Sequence, residues 1–236
     1  MPVYQPRSLE HAIVNGRISV VLDDGRQLPA YWSHPDMGGK FPAVAVIHDW
    51  WGLTQVERRM AQLFAQAGYY VIIPDLFEGQ VATTPQHAIR LVETFRERAY
   101  SFVNSSLKAL ETHTRVNGLV AAVGLGMGGT FALEAAITRS DLEAAVALYG
   151  FPQKHLGKFK DAYAPILAIF GDQDPYVGSG VIAQFTRELL LSKLAHEVVT
   201  LEGVGHGFFT TDDSGASATA WARIMPFLSK HLKRAE

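Results

Sequence analysis

Asp174, in Gly171-Asp172-Gln173-Asp174, and His206, in Gly203-Val204-Gly205-His206-Gly207, follow one another in the order of an acid–histidine pair. A carboxylate can hold an imidazole in one tautomer and stabilise its charged form, which equips the histidine as a general base. Upstream, Gly124-Leu125-Gly126-Met127-Gly128 has the form glycine-x-nucleophile-x-glycine, a sharp turn that presents a reactive side chain to an acyl carbon. The reactive position is itself a glycine, Gly126, which has nothing to attack with. Thr130 falls in the following helix, on the wrong part of the turn. Glycine adopts such a turn without the strain a side chain imposes, so the missing nucleophile should leave the fold intact.

These residues need a scaffold that brings loop ends together. Ile18–Leu22 and Gln27–Trp32 flank Asp23-Asp24-Gly25, a hairpin signal. Apolar runs at Ala43–Ile47, Tyr69–Ile73, Leu119–Val123, Ala144–Leu148, Ile166–Phe170 and Glu197–Leu201 read as strands, most of them buried on both faces. Helical spacing covers Gln55–Ala67, Gly128–Thr138, Val181–Leu191 and Ala216–Leu232, and a helical region from Pro85 to about Thr114 is predicted to break once near Phe95–Arg98. A hairpin followed by alternating strands and helices predicts an α/β fold with a mostly parallel central sheet and helices on both faces. Ligands of such sheets bind beyond the carboxyl ends of the strands. The residues there are His48-Asp49-Trp50-Trp51-Gly52, the Gly126 turn, the Asp174 loop and the His206 loop.

The 236 residues suit one large domain spanning 1–236, and a hydrophobic fraction of 48% can fill its core. A net charge of -2 lacks the basic excess that gives affinity for nucleic acid. With no cysteine, thiol nucleophiles, disulfides and thiolate metal sites are excluded. The start, MPVYQPRSLEHAI, has no apolar stretch of signal type, and no run is long enough to cross a bilayer, so a cytoplasmic protein without membrane contact is expected. The nine histidines show no metal-ligand spacing, and neither a metal nor another cofactor is expected.

From about Pro42 to Leu232 the chain resembles the dienelactone hydrolase family of the α/β-hydrolase superfamily. The likeness lies in AVAVIHDWWGL, AQLFAQAGYYVIIPDLFEG, VGLGMGG, GDQDPYV, GVGHGFF and AWARIMPFL. It implies an α/β-hydrolase fold and hydrolysis of small lactones or carboxylic esters, with cysteine or serine usual at the position of Gly126. It places the acid at Asp174 rather than Asp172, the base at His206, and the oxyanion-hole N–H groups at Met127 and Trp50. Asp49 stands where the family often has a glutamate touching the nucleophile, and Trp51 joins it as a candidate pocket residue. The resemblance also puts Arg96, Arg98 and Tyr100 near a substrate carboxylate. His48 reads as a structural histidine.

Three readings follow. One is a hydrolase whose activity is reduced, routed through water, or lost. A second is a pseudoenzyme that binds a small acyl or carboxylate ligand. The remote third is a dinucleotide site, because Gly124, Gly126 and Gly129 also spell G-x-G-x-x-G. That fingerprint expects an acid at the end of the next strand, where Tyr149-Gly150 stands instead.

Overall fold

A computed structural model describes residues 11–210 and 214–233, which gather into two compact units, one up to Val120 and one from Ala121 onward.

In the first unit, β1 (Ile13–Val21) and β2 (Gln27–Pro35) form the antiparallel hairpin, closed by Leu22 N–H to Arg26 O (2.8 Å) with Gly25 at φ 82°. Both strands run further than the sequence suggests, pairing out to Ile13 opposite Pro35. Gly16 lies opposite Trp32, and a β-carbon there would be 3.4 Å from the indole nitrogen. The glycine thus makes room for a large ring on the neighbouring strand. β2 pairs antiparallel with β4 (Tyr70–Pro74), which pairs parallel with β3 (Phe41–Ile47), so the order is β1-β2-β4-β3. Ala43 to Ile47 are fully buried, as a strand covered on both faces requires.

Helix α1 (Gln55–Gln66) begins with a capping box, in which the Thr54 hydroxyl accepts from the first turn and the Glu57 carboxylate accepts from Thr54 N–H. Its Gln62 reaches Tyr31 on β2 (3.2 Å). Helix α2 (Pro85–Thr112) lines a cleft with Ile18, Tyr70 and Ile72, whose side chains alternate with those beside Tyr31. The two helices therefore cover opposite faces. The predicted break in α2 does not occur: it is one helix of 28 residues. Ala88, Leu91, Phe95, Ala99, Phe102, Ser106 and Leu110 form an unbroken buried stripe, while Arg96 and Glu97 face solvent. The charged cluster is the outer side of a continuous helix.

In the second unit β5 (Val116–Leu125, whose first residues belong to the first unit), β6 (Ala144–Leu148), β7 (Ile166–Gly171) and β8 (His196–Leu201) pair in parallel in that order. β6 and β7 are buried throughout. Helix α3 (Met127–Thr138) packs on β6, and α5 (Ser214–His231) packs on β6 and β7. Helix α4 (Ser179–Ser192) buries Phe185 and Leu189 beside the short 3₁₀ turn Phe159–Asp161. The architecture is α/β, with a mostly parallel sheet and an antiparallel amino-terminal hairpin.

Candidate active site

β5 ends at Leu125 and α3 begins at Met127, leaving Gly126 as the single residue of the turn. Its φ of 51° and ψ of −112° lie where side-chain-bearing residues are strained by about 1–3 kcal/mol. The glycines around it allow backbones to touch. A β-carbon on Gly124 would sit 2.0 Å from Gly128 O, and one on Gly150 would sit 2.8 Å from the carbonyl carbon of Gly129. The first turn of α3 therefore rests directly on the ends of β5 and β6. Two hydrogen bonds fix the turn: Gly126 N–H donates to Leu148 O (2.9 Å), and the Thr130 hydroxyl donates to Gly126 O (3.2 Å). Thr130 Oγ1 also accepts from Phe151 N–H (3.0 Å), which commits the hydroxyl to structure.

His206 follows β8 and Asp174 follows β7. His206 Nδ1 lies 2.7 Å from Asp174 Oδ2, with the aspartate side chain fully buried and the histidine side chain 18% exposed. The other oxygen of Asp174 accepts N–H from Tyr176 (2.8 Å) and Val177 (3.2 Å). A buried carboxylate is tolerated when its lone pairs are used in this way. With Nδ1–H directed to the acid, Nε2 is the nitrogen left to exchange a proton with a reactant. Asp172 has a different partner set, accepting from Gly203 N–H (2.7 Å) and Val204 N–H (3.3 Å). It ties the acid loop to the histidine loop. Gly171 allows that approach, since a β-carbon there would meet Val204 O at 2.0 Å.

Three aromatic rings that sequence reasoning passed over surround the imidazole. Tyr149 meets it edge-on at 5.1 Å, Tyr176 edge-on at 5.0 Å and Phe151 at a tilt at 5.4 Å between ring centres. Tyr149 is the residue after β6 and takes φ 42°. The signal that could have found Tyr149 and Phe151 was their place just past a strand end, the criterion that picked out the other loops. Leu148 binds the Gly126 N–H and Tyr149 packs on His206, so one dipeptide links the turn to the histidine.

In the first unit, His48 is fully buried, donates from Nδ1 to Asp49 O (2.7 Å) and accepts Leu76 N–H at Nε2 (3.0 Å). Burial pushes its pKa down to about 4, and both nitrogens are occupied as expected of a structural histidine. Asp49 is buried, and its Oδ1 accepts the N–H of Trp50 (2.7 Å), the group the family resemblance assigns to the oxyanion hole. Burial raises the Glu57 pKa; the Thr54 hydrogen bonds oppose that rise and the charge of Asp49 adds to it. Trp51 is half-buried and packs edge-on against Trp50 at 5.2 Å. Arg98 lies 4.9 Å from the Phe95 ring centre and 3.6 Å from Glu78, Arg96 is exposed, and Tyr100 is half-buried.

The sequence profile of the dienelactone hydrolase family matches residues 28–232. The chain belongs to the dienelactone hydrolase family. Protein usf of Aquifex pyrophilus is 27% identical over 223 residues, spanning 89% of this chain and 96% of that one. A Bradyrhizobium protein named "Probable 2-oxo-3-(5-oxofuran-2-ylidene)propanoate lactonase" is 27% identical over 228 residues, spanning 89% and 92%. Among solved structures, a dienelactone hydrolase-like promiscuous phosphotriesterase from metagenomic libraries superposes with TM-score 0.81 at 22% identity, covering 94% of this chain and 100% of that one. A likeness at that identity speaks for the α/β-hydrolase fold.

The glycines of the turn serve close packing of backbone on backbone. The space at Gly124 and Gly129 is filled by the protein itself, by Gly128 O, Gly124 O and Gly150 Cα. A Rossmann turn uses its glycines to admit a pyrophosphate. Among the described residues, no group of three or more His, Asp or Glu is arranged to hold a metal ion, and no helix is long and apolar enough to cross a membrane.

Proposed function

We propose that this dienelactone hydrolase-family protein hydrolyses small lactones or carboxylic esters by direct attack of water, with His206 as general base and Asp174 as its anchor. The observation that carries this reading is the 2.7 Å hydrogen bond from His206 to the fully buried Asp174 carboxylate, with the imidazole linked to the Gly126 turn through Leu148 and Tyr149. Water over Gly126 gives its proton to His206 Nε2 as its oxygen bonds to the acyl carbon. The oxyanion accepts from Met127 N–H at the start of α3, and the imidazolium, held by Asp174, returns the proton to the leaving oxygen. A lactone as the cyclic substrate accords with the name of the Bradyrhizobium relative.

The expected rate is modest. Removing the nucleophile of a triad costs about a million-fold, and roughly a thousand-fold acceleration over water remains from the oxyanion hole and binding. The test is a panel of small esters and lactones measured beside His206→Ala; turnover equal to that control ends the proposal. A second reading, binding of a small acyl or carboxylate ligand without turnover, draws on Trp50 N–H being already engaged by Asp49. Calorimetric binding of aromatic acids and lactones, with no turnover, would favour it.

A further inference from the structure

We propose that Tyr176 selects the alcohol part of the substrate, taking esters whose leaving group carries a planar aromatic ring over those with a saturated ring of the same size; this rests on the general-base reading of His206 given above. Three rings pack around the imidazole, and they differ in what they leave open. Tyr149 is fully buried, Phe151 is half-buried, and Tyr176 is 61% exposed although its ring centre lies 5.0 Å from that of His206. Of the three, Tyr176 therefore offers the ring surface that a bound group can reach.

That ring is exposed, but its backbone is held. Tyr176 N–H donates to Asp174 Oδ1 (2.8 Å), its carbonyl accepts from Gln153 Nε2 (3.2 Å), and it stands between Pro175 and the buried Val177. The carboxylate that orients His206 thus also positions Tyr176, so the base and the ring share one anchor. A large side chain with few rotatable bonds, held in place before binding, gives contact area at little cost in conformational entropy. Its chemistry suits a flat ring. Aromatic pairs in offset-stacked or edge-to-face contact gain about 2- to 12-fold beyond what the buried area supplies.

The proton path decides which part of the substrate lies here. His206 Nε2 returns its proton to the leaving oxygen, so that oxygen must come within hydrogen-bond reach of the imidazole. The acyl oxygen turns instead to Met127 N–H at the start of α3. The substituent on the leaving oxygen therefore extends past the rings that flank His206, where Tyr149 is closed off and the open surface belongs to Tyr176. Tyr176 acts by contact and takes no part in proton transfer, so its ring and not its hydroxyl carries the selection.

The experiment compares benzyl and cyclohexylmethyl esters of one acid, whose alcohols are of similar acidity and whose saturated ring is at least as hydrophobic as the flat one. The kcat/KM ratio of the pair is measured for the full chain as wild type, Tyr176→Phe and Tyr176→Leu, and set against the ratio for alkaline hydrolysis. The wild type is expected to prefer the benzyl ester by about 2- to 12-fold over that reference. Tyr176→Phe is expected to keep the preference and Tyr176→Leu to lose it. With turnover above the His206→Ala level, a missing preference, or one that survives in Tyr176→Leu, would overturn the role of Tyr176 and leave the hydrolase proposal standing. A preference that appears only with the ring on the acyl side, in methyl phenylacetate against methyl cyclohexylacetate, would overturn the placement of the leaving group. If no ester turns over above the His206→Ala level, the hydrolase proposal fails and binding of the free alcohols, followed by NMR, decides for Tyr176. Tighter binding of benzyl alcohol than of cyclohexylmethanol in the wild type but not in Tyr176→Leu would support the ring contact, and equal binding would overturn it as well.

Discussion

Asp174 divides its carboxylate between two tasks: Oδ2 holds His206 Nδ1 at 2.7 Å, and Oδ1 is held in turn by the N–H groups of Tyr176 and Val177. The anchor of the imidazole is therefore fixed by backbone two and three residues along the chain. In Asp174→Asn the amide oxygen can still accept those N–H groups, but the amide nitrogen then donates to Nδ1. The proton moves to Nε2, and the histidine can no longer act as a base. Hydrolysis is expected to fall to the level of His206→Ala, about 10²-fold or more below the wild type, with the fold retained. Steady-state rates beside far-UV circular dichroism check this; an Asn variant of undiminished rate would count against His206 as the base.

Restoring a side chain to the turn should change the kinetic mechanism and lower stability. Gly126→Ser and Gly126→Cys are expected to show a burst of leaving group, because a covalent intermediate becomes available. A side chain at φ 51° costs about 1–3 kcal/mol, which lowers Tm by several degrees in a protein of this size. Stopped-flow release of a chromophore and thermal unfolding report the two effects. Folded variants without a burst would show that the rest of the machinery is not competent.

Two glycines of the second unit should respond in opposite ways to alanine. At Gly171 the new methyl would meet Val204 O at 2.0 Å, forcing apart the loops that carry Asp174 and His206. A loss of roughly 3 kcal/mol or more is expected, with activity lost as well. Gly180, in the first turn of α4, has nothing within 4 Å of the added carbon, and alanine there should stabilise by about 0.5 kcal/mol. Denaturant midpoints for the two variants give the comparison, and equal midpoints would contradict the packing argument.

His48 predicts an acid limb in stability. Its pKa falls from 6.5 to about 4 on folding because burial disfavours the charged ring. The unfolded chain therefore takes up the proton first as pH drops. The stabilisation is fully present above pH 6.5 and is lost as pH falls to about 4, amounting to roughly 3 kcal/mol for this group. His48→Gln, which keeps a donor and an acceptor for Asp49 O and Leu76 N–H, should show a shallower fall in Tm across that window. Parallel slopes for variant and wild type would rule out this contribution.

The sequence made the parallel strands legible because AVAVI, YVII, LVAAV and ILAIF are runs that only a doubly covered sheet can hide. Asp174 and His206 were legible through their place after two such runs. The continuity of α2 was hidden because Arg96, Glu97 and Arg98 crowd the sequence between Phe95 and Ala99, and only the packed face shows that the buried stripe never stops. The full length of β1 was hidden because the reason for Gly16, a facing indole, lies on another strand. The aromatic bracket was missed for a similar reason. Tyr149 and Phe151 come from the loop after β6 and Tyr176 from the loop after β7, and their shared neighbour, His206, lies at least 30 residues further along the chain.

The turn at Gly126 keeps its shape through the residues around it: Leu148 O, the Thr130 hydroxyl and the bare backbones of Gly124 and Gly128. That separates architecture from reactivity at the level of the gene. From a GGU or GGC codon, one base change in the first position writes serine or cysteine. Each reaches a turn already folded to receive it. From such a codon a side chain able to attack is one mutational step away, with the Asp174–His206 hydrogen bond already in place.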